Sequence, residues 1–91
     1  MTLARYSNRR DANEPEVIEA LEKCGFAVDR VSAKGIPDLL VSRRGNFYPI
    51  EVKMPKGKPT KEQIEFRDRH KAPVPVLRSG IEATEWQRTV P

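Results

Sequence analysis

The stretch GIPDLLVSRRGNFYPIEVK, Gly35 to Lys53, decides how this chain folds. It contains two short apolar runs, DLLVSR (38–43) and NFYPIEV (46–52), separated by Arg44 and Gly45. Apolar and aromatic residues on both sides of a two-residue break read as the two strands of an antiparallel hairpin. Successive side chains on a strand point to opposite faces, so Glu51 and Lys53 share one face while Ile50 and Val52 share the other. With Arg44 and Gly45 as the turn, Arg43 faces Asn46, and counting back along both strands sets Asp38 opposite Glu51. Directly opposed residues have Cβ atoms about 5 Å apart, and like charges there destabilise a sheet. A positive charge is therefore expected between the two acids. In an ordinary surface hairpin it is Lys53, Arg43 or Arg44; in a functional site it is a hard divalent cation, which takes oxygen ligands of this kind. A slip of one residue would set Asp38 against Val52 and reverse the faces, and Pro49, which cannot donate to a ladder, marks a place for a bulge.

Outward from the hairpin the pattern continues as alternating elements. Toward the N-terminus, FAVDRV (26–31) alternates as a strand, and from Glu14 the spacing of Val17, Ile18 and Leu21 gives a helix with one apolar face. Pro15 suits the first turn of that helix and Gly25 its end. Toward the C-terminus, Thr60 and Gln63 have capping-box spacing and open a second helix running to about Lys71. PVPVL (73–77) is a short strand whose prolines favour a sheet edge. Ser79 and Glu82 repeat the capping-box spacing before a short last helix, where Trp86 is expected to close the core. Residues 1–12, with Arg5, Arg9 and Arg10, read as a flexible basic arm or as phosphate contacts, and 13–91 as a single folded domain.

Composition narrows the function classes. A chain of 91 residues supports one modest core. It is 33% charged with a mean hydropathy of -0.66 and no apolar run long enough to cross a bilayer, so no membrane partner is expected. The N-terminus has arginines but no apolar signal core, which makes a reducing cytoplasm the expected compartment. One cysteine, Cys24, and one histidine, His70, cannot supply a zinc site, so a bound metal must be held by oxygen. Cys24 reads as a small buried hydrophobe and His70 as a surface residue. A net charge of +4 and a pI near 9.5 fit a polyanionic partner without specifying one.

The ordered set of a helix led by an acid, G-x-P-D at 35–38, E-V-K at 51–53 and P-T-x-x-Q at 59–63 resembles the PD-(D/E)XK nuclease superfamily, and more closely its compact VRR-NUC branch. The resemblance spans residues 14 to 63. It implies an α/β, restriction-endonuclease-like domain with an αβββαβ core, a mixed sheet flanked by helices and a short C-terminal helix. Asp38, Glu51 and the Val52 carbonyl would hold Mg²⁺ or Mn²⁺, and Lys53 would be the catalytic lysine. The family's helix glutamate falls on Glu14, on the apolar face and expected to cap the helix because it precedes proline, with Glu16 as the alternative. Gln63 matches the family's glutamine, although a capping-box glutamine has a structural role of its own. Lys56, Lys58 and Lys61 are candidate DNA contacts or solvated loop charges.

The resemblance thus implies hydrolysis of a phosphodiester in DNA. Stand-alone members of the branch are phage-associated and resemble Holliday-junction resolvases, which implies branched DNA and a homodimer carrying two sites. A flap or single-strand-junction nuclease is the alternative enzyme. A non-catalytic nucleic-acid-binding module is the alternative outside enzymes, although a pure binder gains nothing from two acids on a phosphate-facing surface.

Overall fold

A two-residue turn with both φ angles positive organises the sheet. The computed structural model describes residues 10–91 and places Arg44 at φ 54° and Gly45 at φ 82°. Two consecutive positive φ values match the right-handed twist of the flanking strands, as in a type I′ hairpin. Strands β2 (Leu39–Arg43) and β3 (Asn46–Val52) then pair without interruption from Arg43↔Asn46 to Leu39↔Ile50. The register is the one expected from the sequence. No bulge forms at Pro49, which pairs with Leu40. The N–H groups of Glu51 and Lys53 point away from β2, and by alternation position 49 does too, so the missing donor of Pro49 removes no bond from the hairpin.

Strand β1 (Ala27–Arg30) pairs antiparallel with β2, and β4 (Val76–Leu77) pairs parallel with β3 at the far edge, giving the order β1-β2-β3-β4. The strand expected over 26–31 is shorter, since Phe26 leaves the ladder to enter the core. Helix α1 (Glu14–Lys23) ends in a Schellman arrangement: Phe26 N–H donates to Leu21 O at 3.1 Å and Gly25 N–H to Glu22 O at 3.0 Å, with Gly25 at φ 92°. Helix α2 (Lys61–His70) opens with the full capping box between Thr60 and Gln63 and closes at Lys71 in the left-handed region. Helix α3 (Gly80–Trp86) continues into a 3₁₀ turn over Gln87–Thr89. The result is a single α/β domain with a mixed four-stranded sheet and three helices, none of which, among the described residues, is long and apolar enough to cross a membrane.

The core lies on one face of the sheet. Leu39, Val41, Ile50 and Val52 project from it onto Val17 and Leu21 of α1 and Ala83 of α3. Trp86 closes this layer, 5.4 Å from the ring of Phe26 and 5.5 Å from that of Tyr48. Cys24 packs against it half-buried. Arg43 covers Phe26 at 4.3 Å and spends its donors on the oxygens of Cys24, Gln87, Val90 and Pro91, so it fastens the C-terminus and takes no part in pairing the hairpin acids.

Three local expectations change. Arg5 and Arg9 lie outside the described residues, but Arg10 is fixed by four hydrogen-bond acceptors and belongs to the domain. Asn13, not Glu14, is the N-cap of α1; Pro15 at the second helical position needs no donor, which lets Glu14 take up the first helical turn. At α3 only half of the capping box forms, because Glu82 Oε1 accepts from Arg78 N at 2.8 Å and not from the Ser79 N–H.

The turn gives a direct test of the register constraint. A Cβ added at Gly45 meets nothing within 4 Å, so the cost of substitution is conformational alone. Gly45→Ala should lower unfolding free energy by about 1 kcal/mol through its left-handed φ, read as a lower urea midpoint at unchanged slope.

Candidate functional site

The hairpin brings the sequence-predicted acids to one end of the sheet. Asp38 extends the β1–β2 ladder by one pair, its carbonyl accepting from Val31 N at 2.8 Å. Its carboxylate Oδ2 then accepts from Val52 N at 2.8 Å, replacing a ladder bond with a side-chain one. The register sets Pro37 opposite Val52, and proline has no N–H to offer the Val52 carbonyl. The sequence Pro37-Asp38 therefore does two things at this end of the sheet. It ties the Asp38 carboxylate to β3, and it leaves the Val52 carbonyl without a ladder donor.

Glu51 lies between β2 and β4, its N–H donating to Pro75 O at 2.9 Å. Its side chain points away from the apolar core, toward α2, and is fully buried. Neither carboxylate oxygen has a hydrogen-bond partner; among the described residues only Asn13 Oδ1 shares that condition as a buried side-chain atom. Burial raises the pKa of Glu51, opposed by the positive charges of Arg67 and Lys53 and reinforced by Asp38. Burial likewise raises the pKa of Asp38, opposed by the Val52 N–H and the charges of Lys53 and Arg10, with Glu14 acting in the same sense as burial. An unpaired buried carboxylate costs several kcal/mol in general, roughly, which a bound cation would offset.

A cleft of about 400 Å³ has Arg10, Gly35, Asp38, Lys53, Thr60 and Gln63 among its walls, whereas Glu14, Glu51 and Val52 do not line it. Lys53 is held by its backbone on two sides, donating to Leu77 O at 3.2 Å and accepting from Asn13 Nδ2 at 2.8 Å. Gly35, at φ 78°, lets the GIPD loop approach α2 so closely that an added Cβ would stand 3.0 Å from Glu62 Cβ. Gln63 takes the capping role, its N–H and Oε1 completing the box with Thr60, and the residue also lines the cleft. Lys56, Lys58 and Lys61 are exposed and form none of the cleft wall. Their loop is nevertheless ordered by Arg78, whose Nη1 donates to Met54 O at 3.0 Å and Gly57 O at 2.8 Å. His70 stacks on Phe66 at 4.3 Å on the exposed α2 and contributes nothing to the cleft.

The two helix glutamates separate. Glu14 is buried and its Oε1 accepts from Arg10 Nε at 2.6 Å and from Arg30 Nε at 2.9 Å. Glu16 is exposed and accepts from Gly80 N at 2.9 Å, joining α1 to α3. A larger groove of about 700 Å³ runs between α1 and α3, bordered by Glu16, Lys23 and Ile81; it lacks the buried acids and lies apart from them. Sequence reasoning missed Arg30 and Asn13, and assigned Arg10 to the arm. Arg10 and Glu14 have the i,i+4 spacing of a helical ion pair, a signal hidden because Arg10 precedes the helix. Nothing in linear spacing connects Arg30 to Glu14 or Asn13 to Lys53.

The donors suit a hard cation. Two carboxylates and a free carbonyl are oxygen ligands of the type Mg²⁺ and Mn²⁺ accept, with the rest of the shell from water and substrate oxygens. Among the described residues no group of three or more His, Cys, Asp or Glu is placed to hold a metal ion. Comparison with family models, curated proteins and solved structures gave no match to this chain.

Because the folded-state pKa values of Asp38 and Glu51 are raised, the folded protein binds more protons than the unfolded chain in the acid range. Without divalent metal, stability should therefore fall as pH rises through those raised values toward neutrality. Glu51→Gln should flatten that dependence and raise stability at pH 7 by about 1 kcal/mol, measured by urea titration in EDTA.

Proposed function

We propose that this chain is a divalent-metal-dependent endonuclease of the PD-(D/E)XK type, close to the VRR-NUC branch, acting on branched DNA as a homodimer. The observation that carries the reading is the fully buried Glu51 carboxylate with two unpartnered oxygens, flanked along β3 by Ile50 and by Val52, whose N–H binds the Asp38 carboxylate. A buried charge of this kind is costly as packing and suited to ligation. The αβββαβα order with β4 parallel to β3 accords with a restriction-endonuclease-like arrangement.

In this reading Asp38, Glu51 and the Val52 carbonyl hold Mg²⁺ or Mn²⁺. The cation, when bound, supplies Lewis-acid polarisation of the phosphodiester and acidifies a water. The chain's own residues do the rest. Val52 N–H keeps the Asp38 carboxylate oriented. Lys53 shares the cleft wall with Asp38, so its ammonium can neutralise charge developing on the phosphate and orient the attacking water. Gln63 borders the same space on α2, its amide nitrogen outside the capping bonds and available to a polar substrate group. Lys56, Lys58 and Lys61 lie where a duplex leaving the cleft would meet the ordered loop, as backbone contacts without sequence information. A homodimer would supply the two symmetric cuts that a four-way junction requires.

Incubation of labelled four-way junction, flap and linear duplex DNA with Mg²⁺, Mn²⁺ or EDTA tests the reading. Junction cleavage should require metal and should fall at least about 100-fold in Asp38→Asn and in Lys53→Ala, the scale on which electrostatic catalytic groups act. Cleavage surviving EDTA or either substitution would overturn the mechanism, and equal cutting of linear duplex would remove the preference for branched DNA.

A further inference from the structure

Asn13 stands at the N-cap of α1, where an asparagine side chain ordinarily accepts from a backbone N–H of the first turn. It makes no such bond, and its backbone is already helical, at φ -86° and ψ 0°, where a capping residue is usually extended. Its amide nitrogen donates instead to two carbonyls, Lys53 O and Arg78 O, each at 2.8 Å. Its Oδ1 is buried without a hydrogen-bond partner, a net cost to folding. A capping serine would serve α1 better. What the asparagine contributes therefore lies at the two carbonyls.

Those carbonyls stand at the ends of the parallel strands β3 and β4. Glu51 N–H donates to Pro75 O at 2.9 Å and Lys53 N–H to Leu77 O at 3.2 Å. A parallel ladder would next run from Ser79 N–H to Lys53 O. Ser79 is instead the N-cap of α3, and among the described residues its N–H does not donate to Lys53. Asn13 supplies the donor that the ladder lacks, and its second amide hydrogen fixes the neighbouring strand at Arg78. Lys53, which lines the cleft with Asp38, is thus gripped at its N–H by Leu77 and at its carbonyl by Asn13. Arg78 continues the hold by donating from Nη1 to Met54 O and Gly57 O.

We infer that Asn13 is a positioning residue for Lys53: its amide completes the β3–β4 ladder with a side chain and fixes the backbone from which the lysine enters the cleft. That role rests on the nuclease reading given above for what Lys53 does, whereas the grip itself rests on the hydrogen bonds alone. A lysine carried on a fixed backbone loses less freedom when it engages a phosphate. Displacing a group at a reacting centre by about 1 Å costs on the order of 100-fold in rate.

Asn13→Ser separates positioning from folding, because serine caps a helix as well as asparagine but cannot span the two carbonyls. In EDTA, native-state hydrogen exchange of the Lys53 amide should be at least about tenfold faster in this variant, the scale of one hydrogen bond. The Tyr48 and Ile50 amides of the β2–β3 ladder should keep their rates. In Mg²⁺, single-turnover cleavage of a four-way junction should fall about 10- to 100-fold with junction affinity unchanged. Adding Asn13→Ser to Lys53→Ala should cost nothing further, because the asparagine acts through the lysine. Asn13→Asp keeps the shape but offers the carbonyls no donor, so it should lose at least as much as Asn13→Ser in both readouts. Unchanged Lys53 exchange or cleavage in Asn13→Ser, an equal loss on top of Lys53→Ala, wild-type behaviour in Asn13→Asp, or faster exchange that includes Tyr48 and Ile50 would each overturn the inference. The two readings fail separately: faster Lys53 exchange with no cleavage by the wild type removes the nuclease and leaves the grip, whereas metal-dependent cleavage indifferent to Asn13→Ser removes the positioning role alone.

Discussion

The parity of the β2–β3 register is the constraint on which the rest of the structure depends. Side-chain direction in a strand has period two, so the pairing of Arg43 with Asn46 across the Arg44–Gly45 turn decides every position on both strands. It sends Leu39, Val41, Ile50 and Val52 into the layer beneath α1 and α3, and it sends Glu51 the other way. Had the turn held one residue more, Glu51 would face the apolar layer, where an ionised carboxylate is untenable, and Asp38 would lose its rung. The two positive φ angles at residues 44 and 45 are thus a condition both for a continuous core and for two acids at one sheet end.

The same end of the sheet concentrates the costs of the fold. Glu51 is buried without hydrogen bonds, Asp38 is half-buried with only one oxygen bonded by the Val52 amide, and both resist ionisation. The apolar layer on the opposite face has no such defect, and it is closed by the Phe26, Tyr48 and Trp86 rings. Stability is accordingly supplied on one face and relinquished on the other. Arg67 and Lys53 act on Glu51 through space without bonding to it, which lowers the penalty while leaving the oxygens open. A hydrogen-bonded ion pair would have removed the penalty and occupied the oxygens together.

How much of this could be read from the sequence depends on the range of the interaction. The hairpin, the Schellman end at Gly25, the capping box at Thr60 and Gln63, and the edge position of β4 follow from local patterns, and the structure contains them. Pro49 and Glu14 were misread because local rules were applied without their surroundings. A proline at position 49 is harmless when its nitrogen points away from the hairpin partner, and a residue before proline enters a helix when its neighbour occupies the first turn, where donors are unpaired anyway. The meeting of Arg10, Arg30 and Glu14, and the two carbonyls bridged by Asn13, were illegible because they join residues from separate elements whose relative placement is fixed only by the packed core.

The division of labour among the acids follows from where each stands relative to positive charge. Glu14, Asp38 and Glu51 gather at one end of the domain, and three carboxylates sharing one cation site would repel one another strongly once buried. Arg10 and Arg30 prevent that by binding Glu14 directly, and Arg10 also reaches the Asp38 carbonyl. With Glu14 held by the two arginines, Asp38 and Glu51 are the acids at this end that no arginine or lysine bonds directly. The arginines hold Glu14 by direct ion pairs, and Arg10 also lines the cleft beside Asp38, whereas Arg30 borders a separate groove along α1.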